Sequence, residues 1–333
     1  MKNYTTYIGI DVAKLTLDYC MLTQDPQPQQ GQILNTQKTV GKFLKTLIKA
    51  GCQMKETLFV FENTGIYSSL LALVLSENKL DYAQVPALEI KRSLGITRGK
   101  SDKVDAKEIA NYAKRNTDKI ALSVLPELCL QQLKIVFAER EKTVAAIKTF
   151  ERTKENEMFL TKEVFNSVKA INNQTVNQLK KQLVMLDEKI RKLIRDDENL
   201  CEQQHLLKSI PGIGEITSVY ILLATKGFTA FTSGRKFACY SGVAPFEHTS
   251  GTSIKGKTRV SHLADKKMKT LLHMASLTAI KYDPELKAYY HRKKEEGKHT
   301  MLVLNNIKCK MVYRIFAVIQ RKSNFVNLQK FAA

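Results

Sequence analysis

Val176, Leu179, Leu183, Leu186, Ile190 and Leu193 recur at spacings of 3, 4, 3, 4 and 3, with Lys, Arg, Glu and Asp between them. A helix with that stripe is not stable alone in water; it buries one narrow seam against another helix. Leu133, Val136, Val144 and Ile147 give a weaker helical pattern upstream. Two arrangements satisfy the seam: an antiparallel hairpin within the chain, or a coiled coil that joins two chains. Either makes residues 121–205 a spacer and assembly arm, not a chemical site. It leaves 1–120 and 206–333 to build separate cores, and a chain of 333 residues is long enough for that.

Residues 1–120 alternate β and α signals. Tyr4–Ile10 and Thr16–Leu22 read as strands, and Gln32–Asn35 as a short third. Val40–Ile48 reads as an amphipathic helix, Leu58–Phe61 as a buried strand, Ile66–Ser76 as a helix, Tyr82–Val85 as a strand and Val104–Arg115 as a helix. Three strands followed by α-β-α-β-α is the order of a ribonuclease-H-like α/β domain. The last region reads as mainly α, with helices over Ile216–Ala224, Met268–Ile280 and Leu302–Ile319, broken by a Gly- and Ser-rich stretch at 250–257.

Charge narrows the class of partner. The net charge is +21 and the pI near 9.6. It is spread unevenly: +5 over 1–120, +1 over 121–205 and +15 over 206–333, where 22 basic side chains face 7 acidic ones. A solvated surface needs both signs, so the last third reads as a polyanion-binding module, with nucleic acid as the leading ligand. The apolar run Leu70–Leu75 is too short to cross a bilayer, and Trp is absent, so no membrane partner is expected. The N-terminus carries no secretion signal, and the six cysteines have no paired or zinc-finger spacing. A reduced, cytoplasmic bacterial protein, associated with the nucleoid when bound to DNA, is the expectation.

Four acids stand out. Asp11 follows the apolar strand ending at Ile10, Glu62 follows Leu58–Phe61, and Asp102 and Asp105 share one face at a helix start. Carboxylates at strand ends, met by a pair from a helix, can hold two divalent ions, Mg²⁺ or Mn²⁺, for phosphoryl transfer. Taken singly, each could be a turn residue or a helix cap. Gly95-Ile96-Thr97-Arg98-Gly99-Lys100-Ser101 resembles a nucleotide-binding loop but is one residue short between its glycines. Arg98, Lys100 and Lys103 therefore read as phosphate contacts beside the metal site.

Farther along, Ser209-Ile210-Pro211-Gly212-Ile213-Gly214-Glu215 is similar to the hairpin of a helix-hairpin-helix element. Gly212 and Gly214 serve either as a turn or as a clamp on a DNA phosphate. Ser250-Gly251-Thr252-Ser253 is followed by Lys255, Lys257 and Arg259. A serine hydroxyl among cations either grips phosphate or attacks it, conserving the bond energy in a phosphoserine ester for rejoining.

These segments together resemble a known family. Ile8-Gly9-Ile10-Asp11-Val12-Ala13-Lys14, Glu62-Asn63-Thr64-Gly65-Ile66-Tyr67 and Lys100-Ser101-Asp102-Lys103-Val104-Asp105-Ala106 resemble the DEDD signature of IS110-type insertion-sequence transposases, which include the Piv invertases. Ile210–Gly214, Tyr240–Pro245 and Ser250–Ser253 resemble their C-terminal domain, and the match runs from about residue 5 to 320. The resemblance implies a RuvC-like DEDD metal-binding domain over 1–120, a helical coiled-coil arm over 121–205 and a mainly α serine transposase domain over 206–333. By motif position, Asp11, Glu62, Asp102 and Asp105 match the catalytic metal-binding acids and Ser250 the nucleophile; from the composition of the loop itself, Gly251, Ser253, Lys255, Lys257 and Arg259 are read as nucleic-acid contacts. It further implies a bridge RNA pairing with donor and target DNA, and a homo-oligomer, dimer or tetramer, in which the acids of one subunit meet the serine of another. One departure is plain: where the family usually has a Gly before the next helix and an Arg within it, the chain reads Ser261-His262-Leu263-Ala264-Asp265-Lys266-Lys267-Met268-Lys269. Lys is not a bidentate phosphate clamp as Arg is.

The same residues support two rival readings. A RuvC-like, structure-selective nuclease would hydrolyse DNA with water at the acids and needs no serine. A non-enzymatic nucleic-acid-binding scaffold needs neither.

Overall fold

In the computed structural model the structure describes residues 2–25, 27–93, 102–250, 254–261 and 263–327. Two compact units divide the chain, residues 1–125 and 126–333. The expected boundary at 120 lies near that division, and the expected boundary at 205 lies inside the second unit.

The first unit is built on β1 (Thr6–Val12), β2 (Thr16–Leu22), β3 (Gln29–Leu34), β4 (Thr57–Glu62) and β5 (Asp81–Val85), in the sheet order β3-β2-β1-β4-β5. The first three strands are antiparallel, and β1, β4 and β5 are parallel. That is the arrangement of a ribonuclease-H-like sheet. Ile8, Ile10 and Val12 point to one face, where Phe43, Leu44 and Leu47 of α1 (Gln37–Lys49) and Leu71 and Leu75 of α2 (Ser69–Glu77) cover them. α3 (Ala87–Ser93) and α4 (Asp102–Arg115) complete the unit. Leu58 and Val60 of β4 face Ile109, Tyr112 and Ala113 of α4. A run buried on both faces is what a central parallel strand requires.

α4 lies very close to β1, and Gly9 is the reason. A Cβ added there would sit 2.2 Å from the Ala110 nitrogen and 2.5 Å from the Ala106 carbonyl oxygen. Both obstacles are backbone, so neither can swing aside. Gly9→Ala is expected to destabilise the protein by about 1–3 kcal/mol, as overpacking does, with denaturant unfolding as the measurement.

The second unit begins with α5 (Leu128–Arg152) and α6 (Lys162–Arg195). The pairing of Cys129 with Leu193, Arg140 with Asp187 and Glu151 with Lys180 runs in opposite directions along the two helices, which makes an antiparallel hairpin within one chain. Val176, Ile190 and Leu193 of the heptad stripe are buried. The base of the hairpin shares its core with the C-terminal helices: Leu133, Phe137 and Ile194 pack in one cluster with Leu207, Leu222 and Phe237.

Those helices are α7 (Glu198–Lys208), α8 (Glu215–Thr225), α9 (Gly234–Tyr240), α10 (Lys266–Tyr282), α11 (Pro284–Glu295) and α12 (Thr300–Arg321). α12 is the central helix, with Val303, Ile307, Met311, Val312 and Ile315 buried. The helix break expected at 250–257 is, over its described residues, part of a β-hairpin, β6 (Pro245–Ser250) with β7 (Ile254–Val260). β7 alternates Ile254, Gly256, Thr258 and Val260 with Lys255, Lys257 and Arg259, a period-2 pattern hidden by the Gly and Ser around it. Among the described residues, no helix is long and apolar enough to cross a membrane.

Candidate active site

Asp11 is carried on β1, Asp102 opens α4 and Asp105 lies one turn later. The close approach at Gly9 brings them together: one carboxylate oxygen from each lies within 4.8 Å of the others. Gln30 on β3 donates from Nε2 to the Lys103 carbonyl oxygen at 3.2 Å, tying the first turn of α4 to the sheet. Ile10 stands beside Phe61 in the parallel pair, so Asp11, next to last in β1, and Glu62, last in β4, lie on the same face of the sheet. Glu62 lies outside the close trio, yet its charge is felt at Asp11.

The Asp11 carboxyl shows what this crowding does. Burial, then the charges of Asp105, Asp102, Glu62 and Asp18, push its pKa from 3.8 up to about 6. One turn beyond Asp105, burial and the Asp105 charge also raise Glu108. Oxygen donors at this spacing, converging with uncompensated negative charge, suit a hard divalent cation. Asp11, Asp102 and Asp105 would hold it, with Glu62 at the edge.

Lys103 is exposed on the first turn of α4. Arg98 and Lys100 lie outside the described residues, as do Gly251 and Ser253. Ser250 ends β6, its backbone paired with Ile254, while Lys255 pairs with Thr249 and Arg259 with Phe246. Lys257 lies on β7. The side chains of Ser250, Lys255, Lys257 and Arg259 are outside the description.

The root of this hairpin is firmly built. Tyr220 and Tyr240 both donate their phenol protons to Asp265 Oδ2, at 2.8 and 2.7 Å. Asp265 Oδ1 accepts from the Met268 amide at 2.8 Å, capping α10, and the Asp265 amide donates to the Tyr240 carbonyl at 2.9 Å. Burial first, then the hydrogen bond to Asp265, raises both phenol pKa values well above the ordinary range, so both protons stay in place. Gly242, at φ 63°, leaves only 2.4 Å between a would-be Cβ and Ala264 Cβ. The Val243 carbonyl accepts from Asn305 Nδ2 at 2.8 Å and Cys309 Sγ at 2.9 Å. The strands thus leave and return through one fixed point. Tyr220, Tyr240 and Asp265 escaped the reading of chemistry-bearing residues; the Asp before a helical run was the legible sign.

Gly212, at φ 96°, packs so near α10 that a Cβ would meet the Ala275 carbonyl oxygen at 2.3 Å. Its glycine is explained by packing. Gly214 is exposed and caps α8 without a side-chain hydrogen bond. Glu215, the first residue of α8, is held by Arg191 at 2.6 and 3.2 Å and lowered in pKa by that hydrogen bond. Glu215 places a carboxylate in the first turn of α8, where the helix N-terminus favours negative charge, and its oxygens are bonded by Arg191.

Residues 204–291 match the family model described as Transposase IS116/IS110/IS902 family, and residues 8–156 match a second described as Transposase. The pilin gene-inverting protein of Moraxella lacunata is 30% identical over 327 residues, spanning 96% of this chain and 97% of that one. Its Moraxella bovis counterpart is 29% identical over 326 residues, spanning 96% of this chain and 97% of that one. Among solved structures, Thermus thermophilus RuvC is 10% identical with a TM-score of 0.26, over 35% of this chain and 99% of that one. End-to-end likeness to the inverting proteins, with transposase models matched in both units, means that the chain belongs to the IS116/IS110/IS902 transposase family.

Proposed function

We propose that this transposase cuts and rejoins donor and target DNA by transesterification through Ser250, assisted by a divalent ion at Asp11, Asp102 and Asp105 with Glu62 beside them. The convergence of the three carboxylates is the observation that carries the metal-dependent part. A bound Mg²⁺ or Mn²⁺ supplies charge stabilisation to the attacking and leaving oxygens. Ser250 Oγ attacks the phosphorus: the Oγ–P bond forms as the bond from phosphorus to the leaving sugar oxygen breaks. The serine proton is released and the leaving oxygen takes one up. Attack by the hydroxyl of the second strand then reverses the process and frees the serine. The +15 charge of residues 206–333 favours DNA throughout, with Lys255, Lys257 and Arg259 near the serine and Arg98, Lys100 and Lys103 near the acids as phosphate contacts. Of the two loop glycines, Gly214 is the one open to a phosphate.

Two further parts of the reading are the bridge RNA, as guide to donor and target, and assembly as a dimer or tetramer. The excess of positive charge suits a second nucleic acid. Near the turn of the α5–α6 hairpin, Met158 is 86% and Phe159 84% exposed, with Val164, Val168 and Ile171 exposed beyond them. Apolar side chains left open in this way suit contact between copies of the chain.

The test is a denaturing gel of the reaction with labelled DNA and Mg²⁺. A protein–DNA adduct is expected, mapping by peptide digestion to Ser250. Cleavage without an adduct would favour the hydrolytic, RuvC-like nuclease reading.

A further inference from the structure

One carboxyl group near the acids has no part in the family motif. Asp18 stands directly opposite Asp11 in the β1–β2 pair, so both side chains rise from the same face of the sheet. On its other side Asp18 is opposite Gln32. Gln32 Nε2 donates to Asp18 Oδ1 at 3.2 Å and to Oδ2 at 2.9 Å. Across the α4-facing side of the sheet this makes one polar row: Gln32 on β3, Asp18 on β2, Asp11 on β1, Glu62 on β4.

Asp18 is 3% exposed, and Cys20, the next residue on its face, packs on Ala106 and Ala110. Among the described residues no Lys, Arg or His lies within ion-pair distance of Asp18. Burying a carboxylate is costly unless it is hydrogen-bonded and its charge is matched. Gln32 provides the hydrogen bonds and none of the charge. If bonding to Gln32 were the whole task, an amide at position 18 would do it without repelling Asp11. A cation on the Asp11 side supplies what is missing.

We infer that Asp18 is a positioning residue of the metal centre: fixed by Gln32, it orients water bound to the ion and adds a buried negative charge one strand away from Asp11. The inference rests on the metal-dependent reading above. Outer carboxylates of this kind contribute roughly 10–100-fold to metal affinity.

The test is Mn²⁺ titration of the full chain by calorimetry, alongside thermal unfolding with and without Mn²⁺, for wild type and Asp18→Asn. Asparagine keeps a partner for Gln32 and removes the charge. Mn²⁺ affinity is expected to fall about 10–100-fold, while the metal-free protein melts at the same or a higher temperature. Affinity within about twofold of wild type would overturn the role of Asp18 and leave the metal centre intact, since loss of such a carboxylate should cost at least tenfold. Absence of saturable Mn²⁺ binding in the wild type would overturn the centre itself, and this inference with it. Should Asp18→Asn not fold, Gln32→Met keeps the carboxylate and frees its orientation. A clear loss of affinity is then expected, and unchanged affinity counts against the proposal.

Discussion

Asp11→Asn is expected to lower metal-dependent DNA strand cleavage by about 10³-fold or more, equivalent to ~4 kcal/mol of transition-state stabilisation, while making the metal-free protein more stable at pH 7. The two effects have one cause. Asp11 is where burial and the neighbouring charges converge, so its ionisation is unfavourable until a cation arrives. In the folded, metal-free protein the carboxyl titrates at about 6, against 3.8 unperturbed. The folded state therefore holds its proton where the unfolded chain has released it. Stability from this group is full below pH 3.8 and is lost as the pH rises through about 6. Because Asp11 is only partly buried, solvent screening reduces the penalty at neutral pH to roughly 1–2 kcal/mol. Asparagine removes it. Chemical denaturation at pH 4 and pH 7 without metal should show the wild type losing stability with rising pH and the variant losing less. Cleavage assays under the same conditions should show activity gone. An active Asp11→Asn protein would remove the acids from the chemistry.

Ser250→Ala is expected to abolish the covalent adduct and reduce strand rejoining by about 10³-fold or more, since no neighbouring group replaces a deleted nucleophile. DNA binding should be nearly unchanged, because the lost hydroxyl carries no charge and the affinity comes from phosphate neutralisation. Folding should also hold: Ser250 ends β6, while the hydrogen bonds that root the hairpin come from Tyr240, Asp265, Asn305 and Cys309. The Asp11 and Ser250 variants separate the rival chemistries. Loss of cleavage in both supports serine transesterification. Loss in Asp11→Asn with undiminished cleavage in Ser250→Ala supports water as the nucleophile at the acids.

The acids were legible because each breaks a local rule. Asp11 and Glu62 end apolar strands where a further hydrophobic residue would fit, and Asp102 and Asp105 are spaced for one helical face. The sheet order could be read from three early strands and two helix-linked ones. Other features left weaker traces. Asp18 is a lone acid in Thr16–Leu22, and nothing in a single strand says which residue pairs with it; only the register with Asp11 and Gln32 does. The β6–β7 hairpin is rich in Gly, Ser and Lys, a composition that reads as loop, and its pairing depends on anchors distant in sequence at Tyr240, Asp265 and Val243. The heptad stripe required a partner helix without saying whose; the antiparallel pairing of α5 with α6 supplies it from the same chain. α11 was missed although Asp283–Pro284 is a cap with a first-turn proline after it.

The α5–α6 hairpin separates reach from chemistry. Its base is fixed in the core through Leu133, Phe137 and Ile194, and its far end carries exposed apolar residues. About seven residues added to each helix would preserve the seam, since the stripe repeats with that period, and would move the turn outward by about 10 Å at ~1.5 Å per residue. The length of the hairpin can thus be reset in whole heptads, like rungs on a ladder, with no residue of the β1–β5 sheet or of the β6–β7 pair altered.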